Sequence, residues 1–324
     1  MMLEHYPVNR GDYDGPVLIT GAGGCIGSWA LALLTRAGVP AVAYDLTEDK
    51  RRTRLLMSDA QLAAVRWLTG DIADHDAVLK AVEASGATAI VHLAALQVPF
   101  CKADPVAGAK VNVVGTVNVL EAARKLGIRR LSYASSIAAH GALEGHGTLP
   151  TLYGAYKYCN EETARVYSQD WGVHGVGLRP GVVYGVGRDQ GMTSKTTVAL
   201  LAAAAGKPYD IPFRGPISWL HAGEVASAFL KGVSRPRAEA AVFDINGVAS
   251  TVEASVALLQ RVAPGAAITC SGQALPFPMD LSDTPVRAYL GDYGSVPVET
   301  GMRGTLEAFK TLLASGLLDA QSIA

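Results

Sequence analysis

The chain has 324 residues, of which 49% are apolar and 18% charged, and its 28 basic and 29 acidic side chains leave a formal net charge of −1. That burial capacity excludes intrinsic disorder, and the neutral balance removes any electrostatic reason to expect nucleic acid or an anionic membrane as a partner. The mean hydropathy of +0.22 is high, yet the longest fully apolar run, 198–205, is far short of the roughly 20 residues of a spanning helix.

Residues 1–15 are polar, with Glu4, Arg10, Asp12 and Asp14, and do not read as a signal peptide. A short apolar run at 17–20 then ends in a glycine cluster, the pattern of a buried parallel strand. Helical periodicity follows over 28–37 and closes at Gly38; a second strand, 39–45, ends on Asp45. Next come a short helix at 59–65, a strand at 66–69, a helix at 74–83 stopped by Ser85-Gly86, and a strand at 88–93. A long helix is predicted over 106–126, a fifth strand over 131–134, a helix over 153–170 stopped by Gly172, and a sixth strand over 173–178. This alternation predicts an α/β fold, a doubly wound parallel sheet with helices on both faces.

After Gly185 glycines and prolines become frequent, with helical pieces at 196–205, 223–232, 252–262 and 301–315. The expected organisation is a dinucleotide-binding domain over 1–185, to which 223–250 returns, and a smaller mixed C-terminal substrate lobe over 186–324. The cysteines Cys25, Cys101, Cys159 and Cys270 lie far apart without metal-ligand spacing. They read as reduced thiols of a cytoplasmic protein, with neither a disulfide framework nor a metal site.

The chemistry begins at Thr20-Gly21-Ala22-Gly23-Gly24-Cys25-Ile26-Gly27, between the first strand and helix. Gly21, Gly24 and Gly27 at that spacing permit a tight turn and close approach of backbone to a pyrophosphate, which a helix N-terminus favours electrostatically. Asp45 falls where a carboxylate accepts bonds from an adenosine ribose, which favours NAD over NADP. Arg51, Arg52 and Arg54 follow it and read as a solvated basic face.

Tyr153 and Lys157, four apart at a helix start, share one face. A phenol with pKa about 10 must fall to roughly 7 to act as a base, a change of about 4 kcal/mol. One ammonium about 4 Å away supplies about that much at an effective dielectric near 20. Ser135-Ser136 ends the fifth strand, on the side of an open α/β sheet where ligands bind.

With Asp71-Ile72, His92-Leu93-Ala94-Ala95, Asn112, Arg179-Pro180 and Val183-Tyr184-Gly185 in order, and His221-Ala222-Gly223-Glu224 beyond them, the chain resembles the extended short-chain dehydrogenase/reductases of the NAD-dependent epimerase/dehydratase family. The resemblance implies Tyr153 as general acid/base, Lys157 lowering its pKa and holding the nicotinamide ribose, and Ser136 on the substrate oxygen. It implies a cofactor site of Gly21, Gly24, Cys25, Ile26, Gly27, Asp45, Asp71, Ile72, Leu93, Ala94, Ala95, Asn112, Tyr153, Lys157 and Pro180, and a homodimer through the helices at 106–126 and 153–170. His92 reads as a packed strand-end histidine, and His140 as a loop residue in preference to a pocket residue.

The chain departs from the family in ways that bear on the reaction. No acid accompanies Ser136 in 137–139, which argues against elimination of water. Pro216-Ile217-Ser218-Trp219 stands where family epimerases place a diphosphate-binding arginine, and 271–279 contains none. Arg214, Lys195 and Arg287 are the cations able to compensate from shifted positions; the candidate substrate residues are Gln97, Ser136, Lys195, Arg214 and Trp219. The leading expectation is reversible hydride transfer between NAD and a secondary alcohol of a sugar-like or polyol-like small molecule. An epimerase using the same residues is the alternative, and a catalytically silent NAD-binding regulator the third reading.

Overall fold

The computed structural model describes residues 2–142, 150–275, 278 and 280–320. The strands are β1 (Val17–Thr20), β2 (Ala41–Asp45), β3 (Arg66–Thr69), β4 (Ala89–His92), β5 (Leu131–Ala134), β6 (Gly175–Pro180), β7 (Val183–Tyr184), β8 (Tyr209–Ile211), β9 (Pro216–His221), β10 (Ala241–Ile245), β11 (Val248–Thr251) and β12 (Ile268–Cys270). The helices are α1 (Cys25–Arg36), α2 (Asp59–Ala63), α3 (His75–Ser85), α4 (Val98–Ala103), α5 (Pro105–Ala109), α6 (Gly115–Leu126), α7 (Leu152–Trp171), α8 (Lys195–Ala204), α9 (Ala222–Gly232), α10 (Val252–Val262), α11 (Thr284–Leu290) and α12 (Val298–Ala314).

Seven strands form one parallel sheet in the order β10-β6-β5-β4-β1-β2-β3, a doubly wound, Rossmann-like arrangement. The alternation of side chains along β1 explains its wholly apolar run. Val17 and Ile19 enter the core with Trp29 and Leu33 of α1 and Phe229 of α9, while Leu18 enters the opposite layer with Val82, Val119 and Ala164. Both faces are covered, so no position on the strand tolerates a polar residue until Thr20 reaches its carboxyl end. β10 pairs with β6 after the chain has left for the smaller lobe, which holds a β11-β9-β7 sheet and a β12-β8 pair. The polar lead-in is anchored too: Tyr6 bonds His221 Nδ1 at 2.6 Å, and Tyr13 donates to the Leu230 carbonyl.

The helix predicted over 106–126 is divided into α5, a π-helical turn at Lys110–Val114, and α6. The wider turn frees the Asn112 carbonyl, which accepts from the Asn160 amide and the Thr116 hydroxyl. Side-chain bonding of this kind is invisible to apolar periodicity. α7 is longer than predicted, from a Thr151 cap accepting Gly154 N–H to Gly172 at φ 66°, a left-handed stop suited to glycine.

Candidate active site

The carboxyl ends of the parallel strands open on one cavity of about 810 Å³. Its first wall is made of backbone. Gly21, at φ +68°, lies so close to β4 that a Cβ would stand 2.7 Å from the Ala94 nitrogen. A Cβ on Gly27 would stand 2.4 Å from the Gly21 carbonyl oxygen, so the α1 start can pack against the turn only as glycine. Gly24, the residue preceding α1, has no side-chain cap, which leaves the helix N-terminus facing the cavity through Gly23, Gly24, Cys25 and Ile26. Asp45 closes β2; its carboxylate accepts from the Gly23 and Leu46 amides, each at 2.8 Å. Asp71, Ile72, Leu93, Ala94, Ala95 and Pro180 line the same cavity. Close backbone packing, an open helix terminus and a strand-end carboxylate fit a dinucleotide.

Asn112 supports this wall without lining it. It is buried behind the wall, and its amide is spent on the main chain of Leu96, accepting from its N–H at 2.9 Å and donating to its carbonyl at 3.0 Å. It holds the 93–97 loop in place and is no part of the cavity lining. His92 is buried between Thr20 and Thr116, at 2.7 and 3.1 Å, and burial pushes its pKa down to about 3, so it ties β4 to β1 and α6 as a neutral ring.

Tyr153, Lys157 and Ser136 converge in the cavity. Lys157 is buried, donates to the Ala134 carbonyl at 2.6 Å, and its Nζ lies 5.5 Å from the Tyr153 ring centre. Burial lowers its own pKa to about 8, against the smaller pull of Cys101 and Glu161. The Tyr153 phenol is raised above its ordinary value by burial, with a hydrogen bond to Ser136 and the charge of Arg188 drawing it back. The expectation from the resemblance is that Lys157 lowers it. The ammonium is turned to a backbone carbonyl, and desolvation of the phenol outweighs the charges around it.

Behind the pair runs a buried polar chain. Glu161, one turn past Lys157, accepts from Ser135 and takes a two-point bond from Arg179, at 2.7 and 2.5 Å. Arg179 also lies 3.7 Å from Asp244, which bonds His140 at 2.8 Å. His140, on the short turn at 137–142, is therefore buried against β10 and stands outside the cavity lining.

Three predicted substrate residues lie elsewhere. Trp219 is 4% exposed, its indole N–H given to Ser255 and its ring edge-on to Tyr184. Arg214 is exposed and paired with Glu253 at 3.0 Å, and Lys195, at the start of α8, is not in the lining. β9 turns Trp219 into the lobe, and Arg214, on the link between β8 and β9, faces outward. Gln97 does line the cavity.

The sequence reading missed Arg188, Asp189, Gln190 and Thr193, which line the cavity just past β7. It also missed that Arg52, read as solvated, reaches the Gly23 carbonyl at 3.0 Å and Asp189 at 2.7 Å. The available signal was the position of 185–193 immediately after a strand end.

Comparison with known proteins gives this geometry a family. The model of the NAD dependent epimerase/dehydratase family matches residues 17–246. A UDP-glucose 4-epimerase of Azospirillum brasilense is 32% identical over 171 residues, 50% of this chain and 47% of that protein. The chain thus spans about half the length of the curated relatives it matches. Among solved structures, a partial-consensus L-threonine 3-dehydrogenase superposes with TM-score 0.80 at 24% identity, covering 91% of this chain and 99% of that one. The Thermus thermophilus UDP-glucose 4-epimerase in complex with NAD does so with TM-score 0.75 at 24% identity, covering 91% and 99%. Glycine turn, strand-end carboxylate and tyrosine–lysine pair stand within the matched span, and the chain belongs to the NAD-dependent epimerase/dehydratase family.

Proposed function

We propose that the chain catalyses reversible hydride transfer at a secondary alcohol carbon of a small sugar-like or polyol-like molecule, with NAD as cofactor. The observation that carries this reading is the convergence of Tyr153, Ser136 and Lys157 at one end of a cavity whose other end is the glycine turn and Asp45. A bound nicotinamide supplies the two-electron acceptor for the carbinol hydride. Ser136 Oγ orients the substrate oxygen, and Tyr153 Oη holds or returns its proton. Lys157, fixed on the Ala134 carbonyl, keeps a donor beside the phenol and is placed to hold a ribose hydroxyl. Gly21, Gly24 and Gly27 shape the turn toward the phosphates. The preference for NAD rests on Asp45, and on Arg51 being paired with Asp49 at 2.7 Å.

Epimerisation is a second reading, and the names of the sequence relatives favour it; the same residues serve it, with the hydride returned to the opposite face. Net oxidation is favoured by the scarcity of cations about the cavity for a nucleotide diphosphate. Incubating the protein with sugars, polyols and UDP-sugars, first with catalytic and then with stoichiometric NAD, separates the readings. NADH accumulation supports net oxidation, isomers without NADH support epimerisation, and NAD binding with neither outcome overturns both.

A homodimer is part of the proposal, supported by exposed Val106, Val114, Leu152 and Val166 on α5, the π turn and α7. A reducing, cytoplasmic setting is supported by four free cysteines.

A further inference from the structure

Among the described residues, three cations line the cavity, Arg52, Lys157 and Arg188. Arg52 is committed to Asp189 and the Gly23 carbonyl, while Lys157 gives one hydrogen to the Ala134 carbonyl and, in the proposed reaction, serves the phenol and the ribose. Arg188 has no carboxylate partner among the described residues. Its Nη2 donates to the Thr193 hydroxyl at 3.3 Å, while its buried Nε has no hydrogen-bond partner among the described residues. A buried, unused donor of a guanidinium is costly unless something completes its bonding.

What surrounds Arg188 points to the substrate end. Gln97 approaches from the opposite loop: a Cβ on Gly191 would stand 2.0 Å from Gln97 Oε1 and 3.2 Å from Arg188 Nη2, so the two side chains flank one glycine. Arg188 is also near enough for its charge to act on the Tyr153 phenol. Of the cations outside the cavity, Arg214 is committed to Glu253 and Arg287 to Glu224, and Lys195 stands outside the lining. One uncommitted guanidinium balances one negative charge, and its planar fork matches a carboxylate.

We propose that Arg188 is the anchor for a substrate carboxylate, and that the substrates are hydroxy acids whose carboxylate pairs with Arg188 while the carbinol reaches Tyr153 and Ser136. Gln97, Gln190 and Thr193 then serve the remaining hydroxyls. The inference rests on the proposed reaction for the position of the carbinol, but the anchor itself concerns binding alone.

The test uses D-gluconate, L-threonate and D-glucuronate beside their neutral counterparts glucitol, threitol and glucose, with UDP-glucose as the contrary ligand. Binding is followed by calorimetry on NAD-loaded Tyr153→Phe protein, and turnover by NADH absorbance on the unaltered enzyme. The expected result is that at least one acid binds 10-fold or more tighter than its neutral counterpart. Arg188→Gln then shrinks that preference about 10- to 100-fold, and Arg188→Lys shrinks it less, since a charge remains but the fork is lost. Equal binding of acid and neutral partner, no binding of any acid, or preferential binding of UDP-glucose overturns the anchor. The acid-over-neutral comparison is read on the protein without any change at Arg188, so it stands even if the Arg188 variants fold poorly. Arg188-dependent binding without NADH would keep the anchor and count against net oxidation; NADH from neutral polyols alone would do the reverse.

Discussion

The two walls of the cavity are built by different means. On the side of β1, β2 and β4, the lining is backbone and small side chains: Gly21, Gly24, Gly27, Ala94 and Ala95, with Asp45 at a strand end. On the other side, Gln97, Ser136, Tyr153, Arg188 and Thr193 arrive from separate segments and present long or polar side chains. The first wall is set by local spacing and steric closeness, the second by how distant segments meet. The first therefore suits a ligand common to a family, and the second is where one member can differ from another.

Breaking the support behind the second wall should have the largest effect on stability. Glu161 is 4% exposed and holds Ser135 and Arg179 together. Glu161→Ala takes the two-point partner from the half-buried Arg179, leaving it Asp244 at 3.7 Å, and strips buried Ser135 of its acceptor, and should cost about 3–5 kcal/mol in urea unfolding. A loss below about 1 kcal/mol would show that the polar chain does not brace the site.

Lys157 gives a pH-dependent measure of the same wall. Its pKa is lowered from 10.5 to about 8 by burial, so between those values the unfolded chain binds a proton that the folded chain does not. The cost of burying its charge is present in full below pH 8 and is relieved as pH rises. Lys157→Met removes this cost, so its stability advantage should narrow by about 3 kcal/mol from pH 8 to 10.5. A gap that stays constant with pH contradicts the burial of a charged ammonium.

The first wall is tested by adding single atoms. Gly27→Ala places a methyl 2.4 Å from the Gly21 carbonyl oxygen and 2.8 Å from Ala22 Cα, contacts to backbone that cannot swing away. It should cost about 1–3 kcal/mol in thermal unfolding and weaken NAD binding in calorimetry. Gly38→Ala, whose added Cβ meets nothing within 4 Å, is the comparison: it carries only the strain of φ +70° and should leave NAD affinity unchanged. The smallest effect is expected at Asp45. Asp45→Asn keeps an acceptor for the Gly23 amide but removes the charge, and should move the NADP-to-NAD affinity ratio upward by about 10-fold, or about 1.4 kcal/mol. An unchanged ratio would remove Asp45 as the discriminating group.

The same contrast separates what the amino-acid sequence makes legible from what it does not. The inner strands of the sheet and the glycine turn were legible because buried parallel strands are largely apolar and the turn needs glycine, whereas the half-exposed edge strand β3 carries a weaker signal. Tyr153 and Lys157 were legible through their i, i+4 spacing beside the other motifs. The break at Lys110–Val114 was not, because Thr116 and Asn160 donors on one carbonyl decide it. Trp219 was misplaced because β9 carries it against Tyr184 and Ser255, a matter of which face of a short strand points inward. Arg188 escaped notice because a lone arginine in a loop carries no spacing signal; only the meeting of 185–193 with Gln97 and Tyr153 gives it a role.

The central claim is that Tyr153 moves the substrate proton, and Tyr153→Phe tests it most directly, on whichever substrate of the panel the unaltered enzyme turns over. Removing the phenol oxygen while keeping the ring should lower kcat by about 100- to 10,000-fold, with NAD affinity by calorimetry little changed. Turnover within a few-fold of the unaltered enzyme would contradict the account.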